Sequence, residues 1–363
     1  MQTSIFVERI YQQIELELFE NIGKLIADNM LIDESGMYHW KAEPLGRMGE
    51  LNRQQLKVIA KYAKMGEQEL VKYINSVADA EIQQIDADLK PAFDANLLQP
   101  IKPTDAIYNT LLALERQATS TVNLMNASML SGSEQVYRDI VTQATADVVT
   151  GRATLQQSVT RTIKQWAEQG MPVLVDKAGR QWSAEGYLST AIRTTTKNTQ
   201  NEVQETRFDE YEIDLVETSS HAGSRPSHFP FQGKIYSRSG KSTKYPPLSI
   251  TGHGDTLTGF ATGINCRHRL YGYIEGLSTK RYEPYDKRES ERIYKESQKQ
   301  RYLERQIRRA KKQEAALKAM NAEAEEIIRA KQLVRNRQKT MREFIKATNR
   351  SRRYGREQVV IDG

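Results

Sequence analysis

Apolar positions in the first 34 residues recur at intervals of three and four: Ile5, Val7, Ile10, Ile14, Leu18, Ile22, Leu25, Ile26, Met30 and Leu31. Such spacing puts them on one side of a helix, so the chain is expected to open with an amphipathic helix. The same period predicts helices over 50–64, 66–88, 103–131, 134–148 and 153–169. Several begin with a residue whose side-chain oxygen can accept from first-turn amides, as Ser133 and the Thr104-Asp105 pair do. Between 36 and 44 the pattern lapses into a short turn region with Gly36, His39, Trp40 and Pro44, where His39 reads as a half-exposed neighbour of Trp40. Pro91, Pro100 and Pro103 fall between two helical stretches; proline interrupts a helix interior, so 90–103 is expected to be a break and a candidate hinge.

Beyond residue 170 the period changes. Met171–Trp182 reads as a strand, a turn and the start of a second strand, followed by a helix from Ser183 to about Phe208 with sparse apolar contacts at Ile192, Val203 and Phe208. Tyr211–Thr218 alternates, which is the period of a half-buried strand. From 286 to 349 one long charged helix is expected. Leu303, Ala310, Leu317 and Ala324 step by seven, as do Met320, Ile327, Val334 and Met341, the two series offset by three like a and d positions. Gln306, Gln313 and Lys331 interrupt that seam, so it reads as a weak coiled coil, open to self-association, or as a helix packed on a neighbour. Ser351–Glu357 reads as a basic, flexible terminus.

These patterns give an α+β, predominantly α chain in three parts. An elongated helical region spans 1–170, a small α+β module 171–279, and a long basic C-terminal helix with its terminus 280–363. Only 38% of residues are hydrophobic and 27% charged, which suits long exposed helices better than one large core in 363 residues. Charge is segregated: 280–363 carries 25 Lys/Arg against 13 Asp/Glu, or +12, whereas 1–279 carries 28 against 33, or −5. A cationic tail of this kind suits a polyanion or an acidic surface, or simply keeps a solvated helix soluble. The start lacks the pattern of a secretory signal, and no run approaches the roughly 20 apolar residues of a membrane span, so no membrane partner is expected. With one cysteine no intramolecular disulfide can form.

Chemistry concentrates in one island. His221, His228, His253, His268 and Cys266 are four of the five histidines and the sole cysteine, and they fall within 48 residues rich in Gly and Pro. Imidazole and thiolate bind soft metals and serve as bases and nucleophiles, so several readings stand open. His221, His228, Cys266 and His268 supply the four ligands of a zinc site, though without tight Cys-x2-Cys spacing. Cys266 with His221 or His228 and Asn265 gives the parts of a cysteine hydrolase. The histidines with Arg225, Lys234, Tyr236, Lys244 and Arg267 give those of a metal-free nuclease. The plainest reading is a compact loop-rich β module with a small core of Phe229, Phe231, Tyr236, Tyr245 and Phe260, needing no cofactor and no catalysis.

The string His221-Ala-Gly-Ser-Arg-Pro-Ser-His228, then Gln232-Gly-Lys-Ile-Tyr-Ser237, Tyr245-Pro-Pro247 and Gly263-Ile-Asn-Cys-Arg-His268 resembles the signature of the phage minor capsid protein 2 family, related to the Mu F-like minor head proteins of tailed phages. Tyr294–Arg309 and Arg342–Asn349 look like the helical end of the same family, so the resemblance is specific over about 218–360. It implies a virion protein, assembled in the host cytoplasm, in the head interior or at the portal vertex. Its partners would be portal or major capsid protein and packaged duplex DNA, and its work head assembly, genome packaging or delivery. The signature residues would be His221, Arg225, His228, Gly233, Asn265, Cys266, Arg267 and His268. The densest cation cluster, Arg305, Arg308, Arg309, Lys311 and Lys312, is where non-specific DNA contact is expected, through counterion release. The rival function is a metal-dependent or histidine-based hydrolase of nucleic acid or cell wall acting during entry.

Overall fold

The computed structural model describes residues 2–30, 36–175, 179, 181–255, 258–263 and 266–360, and of residues 2–5, 38, 39, 185, 188 and 189 the backbone alone. Among them are eight α-helices: α1 Gln2–Ala27, α2 Met37–Gly46, α3 Met48–Asp94, α4 Asp105–Val149, α5 Leu155–Gln169, α6 Ala184–Glu210, α7 Lys287–Ala319 and α8 Ala324–Thr348. Five short strands accompany them: β1 Pro172–Val175, β2 Gln181–Ser183, β3 Leu215–Thr218, β4 Ile235–Ser237 and β5 Leu270–Gly272. The chain is predominantly α with some β. The expected turn region at 36–44 is mostly helical, as α2, and the side chain of His39 lies outside the described residues.

Two expected breaks are absent because the glycines there serve contact rather than termination. Gly66 lies inside α3, where a Cβ would stand 3.3 Å from the ring of Tyr11 in α1. Gly132 lies inside α4, where a Cβ would stand only 2.0 Å from the carbonyl oxygen of Pro172 in β1. Each lets a neighbouring segment approach the helix backbone, so helices expected as pairs are single elements of 47 and 45 residues. Pro91 likewise falls inside α3, in its exposed last turn, where one lost amide costs little. The helix ends beyond it at Asn96, whose φ of 53° is left-handed and lets the Leu97 amide donate to the Ala92 carbonyl at 2.9 Å.

The chain divides into two compact units whose boundaries do not follow the changes of composition: 1–69, 120–189 and 300–363 form one, and 70–119 and 190–299 the other. In the first, α1 is buried on more than the face its pattern marks. Val7, Ile10, Ile14, Leu18, Ile22 and Leu25 are buried, and so are Tyr11, Gln12, Glu15 and Leu16. Buried Glu15 is paired: it accepts from the Met171 amide at 2.7 Å and from the ammonium of Lys312. Gln55 donates to the Leu18 carbonyl at 3.1 Å. Thr154 and Gln157 form a reciprocal capping box at the start of α5. β1 and β2 pair as an antiparallel hairpin.

The single helix expected over 286–349 is interrupted. Asn321 takes a φ of 52°, the Ala322 amide donates to the Leu317 carbonyl at 3.0 Å, and the chain turns into α8. Leu303 and Ile307 of α7 then pack against Met341, Phe344 and Ile345 of α8, so this part of the heptad seam closes within the chain. The terminus expected to be flexible is tied to α7: Gln300 donates to the Ser351 carbonyl at 3.0 Å, Lys311 to that of Glu357 at 2.8 Å, and Arg308 to that of Arg356.

In the second unit β3 is the middle strand of a three-stranded antiparallel sheet, order β4-β3-β5. Val216, Tyr236 and Leu270 of the sheet join Phe208, Tyr211, Leu248, Phe260, Ile85 and Leu89 in one core. Arg207, fully buried, holds three segments together. Its guanidinium donates to Asp86 of α3 at 2.8 to 3.0 Å, to Glu210 at 2.6 Å and to the Ile101 carbonyl at 2.5 Å.

Candidate functional site

Strand register brings the island's ends together. Thr218 at the end of β3 pairs with Leu270 at the start of β5, and the pairing continues past both strands: the Ser219 amide donates to the Arg269 carbonyl and the Arg269 amide to Ser219 Oγ, each at 2.9 Å. His221, three residues beyond β3, therefore meets His268, two residues before β5. Their rings stack with centroids 4.3 Å apart and planes 20° apart, and Phe260 stacks on His268 at 4.2 Å. A 3-10 turn over Pro226–Phe231 carries His228 to the same place, and the Gly259–Gly263 turn precedes Cys266, whose amide donates to the Gly263 carbonyl at 2.9 Å. Neither Gly259 nor Gly263 has room for a Cβ.

His228, Cys266 and His268 are buried, and one ligand atom from each lies within 4.8 Å of the others. The closest approach is 3.5 Å between Cys266 Sγ and His228 Nδ1. Each imidazole has one nitrogen held by an oxygen. His228 Nε2 donates to the Thr258 carbonyl at 2.8 Å, His221 Nδ1 to the Ala222 carbonyl at 3.3 Å, and His268 Nδ1 faces Ser219 Oγ at 3.5 Å. The two carbonyl contacts assign protons to His228 Nε2 and His221 Nδ1 and leave lone pairs on His228 Nδ1 and His221 Nε2, while the Ser219 hydroxyl can serve His268 Nδ1 as donor or acceptor. His221 Nε2 and His268 Nε2 are buried and have no hydrogen-bond partner among the described residues. Burial lowers the affinity of all three rings for a second proton. His268, the deepest, is pushed down to about 2, with His221 and His228 adding to the effect. The cluster is therefore neutral imidazole at neutral pH, the form that binds metals.

The remaining residues singled out in the sequence hold the module's shape or lie apart. Gly233 has a φ of 61° and sits against the carbonyl of Tyr282, where a Cβ would be 2.9 Å from its oxygen. Arg225 precedes the 3-10 turn, and Arg267 is exposed. Asn265 lies outside the described residues. His253 is not in the cluster; its Nδ1 donates to the Phe260 carbonyl at 3.1 Å and its Nε2 to Glu205 at 3.0 Å. Tyr236 and Phe260 are core residues as expected, while Phe229, Phe231 and Tyr245 are half-buried. Of the suggested phosphate-gripping set, Tyr236 is buried and Lys244 pairs with Glu275.

One supporting layer went unrecognised in the sequence. Lys197, Asn201 and Gln204, spaced by four and three on α6, donate to the carbonyls of His268 at 2.7 Å, Ala261 at 3.0 Å and Leu270 at 2.7 Å. The signal was a polar stripe at helical period on a helix with few apolar contacts. Burial pulls the Lys197 ammonium down to about 8, even though Cys266 and Glu81 favour its charge.

The basic cluster on α7 faces largely inward, contrary to the expectation of open phosphate contacts. Arg308 and Lys312 are buried, Lys311 donates to the Glu357 carbonyl, and Arg309 lies 3.7 Å from Glu168; of the five, Arg305 is exposed. Their partners are the carbonyls of the returning terminus and buried Glu15, which a sequence does not reveal as neighbours. A regular row of exposed cations lies on α8. Lys331, Arg335, Lys339, Arg342 and Lys346 are all exposed and, at 3.6 residues per turn, fall within an arc of about 80° over about 22 Å. Glu343 borders this row and lies 3.9 Å from Lys339.

The family model described as phage minor capsid protein 2 matches residues 3–346. The chain belongs to the phage minor capsid protein 2 family. The match extends well beyond the 218–360 region that carries the visible motifs and takes in the N-terminal helices. A structural protein of Lactococcus phage LL-H is 32% identical over 294 residues, covering 77% of this chain and 78% of that protein. A structural protein of Lactococcus phage mv4 is 35% identical over 120 residues, covering 32% of this chain and 93% of that protein. No solved structure matches the chain. No helix among the described residues is long and apolar enough to cross a membrane.

Proposed function

We propose that this member of the phage minor capsid protein 2 family is a minor component of the phage head, inside the shell or at the portal vertex. In this reading residues 1–170 meet portal or shell protein and the exposed face of α8 meets packaged duplex DNA, in support of assembly, packaging or delivery of the genome. The observation that carries the DNA contact is the row of five exposed cations on α8 in a family of capsid proteins. A cationic row of about 22 Å gains affinity by displacing condensed counterions and reads no sequence. Arg308, Lys311 and Lys312 of α7 are engaged within the chain, so the α8 row is the part of the basic region on which this reading rests.

Binding of the purified chain to duplex DNA from low to physiological salt tests this. Affinity should fall with a log–log slope set by the number of phosphates neutralised, about −4 to −5 for five cations. Replacing Lys331, Arg335, Lys339, Arg342 and Lys346 together by Gln should remove most of that slope. Binding that is indifferent to salt, or to this replacement, contradicts the proposal.

A further inference from the structure

Three imidazoles and a thiol sharing a buried pocket are more than a loop module needs for packing. A hydrophobic plug would leave no buried nitrogen unpaired, and an unpaired buried polar atom costs about 1–3 kcal/mol. Here His268 Nε2 and His221 Nε2 both lack a partner among the described residues, and His268 is 1% exposed. His228 Nε2 donates to the Thr258 carbonyl, which leaves its Nδ1 turned toward Cys266 Sγ. That is the arrangement by which metal-ligating histidines are oriented, with the outer N–H fixed and the inner lone pair free.

Distances fit one class of ion. Tetrahedral zinc holds thiolate at about 2.3 Å and imidazole at about 2.0–2.1 Å, which sets sulfur and nitrogen about 3.5 Å apart. Cys266 Sγ and His228 Nδ1 stand 3.5 Å apart, and the donor set of His228, Cys266 and His268 closes within 4.8 Å. We propose that His228 Nδ1, Cys266 Sγ and His268 Nε2 bind a zinc(II) ion, with water as the fourth ligand. His221 is not a ligand, because it stacks on His268: an ion must lie close to the plane of each ring that binds it, and rings 20° apart in plane with centroids 4.3 Å apart do not share one ion. It packs beside the site and supports the His268 ring. Binding releases the thiol proton to solvent as the thiolate joins the metal, and no oxidant or reductant is involved. This inference stands apart from the assignment to the virion, since it rests on the pocket alone.

The test uses the full-length chain, stripped with a chelator and titrated with Co(II) and Zn(II). One Co(II) per chain should bind, giving a thiolate-to-metal charge-transfer band and visible d–d bands of tetrahedral strength, and Zn(II) should abolish both stoichiometrically. In the unaltered protein zinc should protect Cys266 from alkylation, a readout that does not depend on any variant folding. Cys266→Ser should lose the charge-transfer band, and His228→Ala should weaken binding more than about 100-fold, beyond the 10–100-fold typical of outer-shell losses. His253→Ala, at a histidine outside the cluster, should retain one metal per chain. Absence of a thiolate band at saturating Co(II), alkylation of Cys266 unaffected by zinc, or a band retained in Cys266→Ser would overturn the site.

Discussion

Lys312 and Glu15 are 1% exposed each and pair in the first unit, where Glu15 also accepts from the Met171 amide. Removing one member strands the other's charge out of water. Lys312→Met should therefore lower unfolding stability by about 3–5 kcal/mol, read from denaturant midpoints, although Met fills a similar volume. In the second unit burial alone would raise the Glu205 carboxyl, but hydrogen bonds from His253 and Arg238 outweigh it and hold it below the usual range. The unfolded chain then takes up this proton more readily than the folded one. Its stabilisation is complete above the ordinary value of 4.5 and is lost as pH falls through the lower folded value. Unfolding curves of Glu205→Gln should accordingly be less stable than the parent at neutral pH and show a shallower loss in acid; an unchanged acid slope would remove Glu205 from the account.

Three helix ends among the described residues depend on asparagine. Asn96, Asn321 and Asn349 all take a φ of 52 to 53° just past α3, α7 and α8. Asn321→Val should destabilise the α7–α8 turn by about 1–2 kcal/mol, whereas Asn321→Gly should be neutral or better, as judged by thermal unfolding. Thr154→Ala at the start of α5 should cost about 1 kcal/mol. Gly132→Ala should cost about 1–3 kcal/mol, because the new methyl meets the Pro172 carbonyl. These elements also explain what the sequence could and could not convey. Helical spacing marks α1 and α5 because each has a continuous apolar face, and alternation marks β3. The continuity of α3 and α4 was hidden because Gly66 and Gly132 look like terminators when read without their neighbours. The α7–α8 break was hidden because the seven-residue spacing of apolar positions runs on either side of Asn321 without a change of register. The island announced itself by composition, but which of its side chains meet is set by the Thr218–Leu270 register and by the Gly259–Gly263 turn, neither of which is written in residue spacing. Lys197, Asn201 and Gln204 escaped notice because buried polar residues resemble a solvated face until their carbonyl partners are known.

At the scale of the whole molecule, composition and compactness divide the chain differently. Within the +12 region 280–363, inward cations of α7 hold the returning terminus and Glu15, while a row of cations on α8 is exposed. The chain belongs to the phage minor capsid protein 2 family, and the proposed place in the head would set that row beside packaged DNA. Residence of this chain in the DNA-filled head is proposed, and every role suggested for it follows from that place. Quantitative mass spectrometry of purified mature particles, after cross-linking, tests it most directly. The chain is expected at a few copies per particle, with residues 1–170 joined to portal or shell protein. Particles that contain their full genome and lack the chain would contradict it.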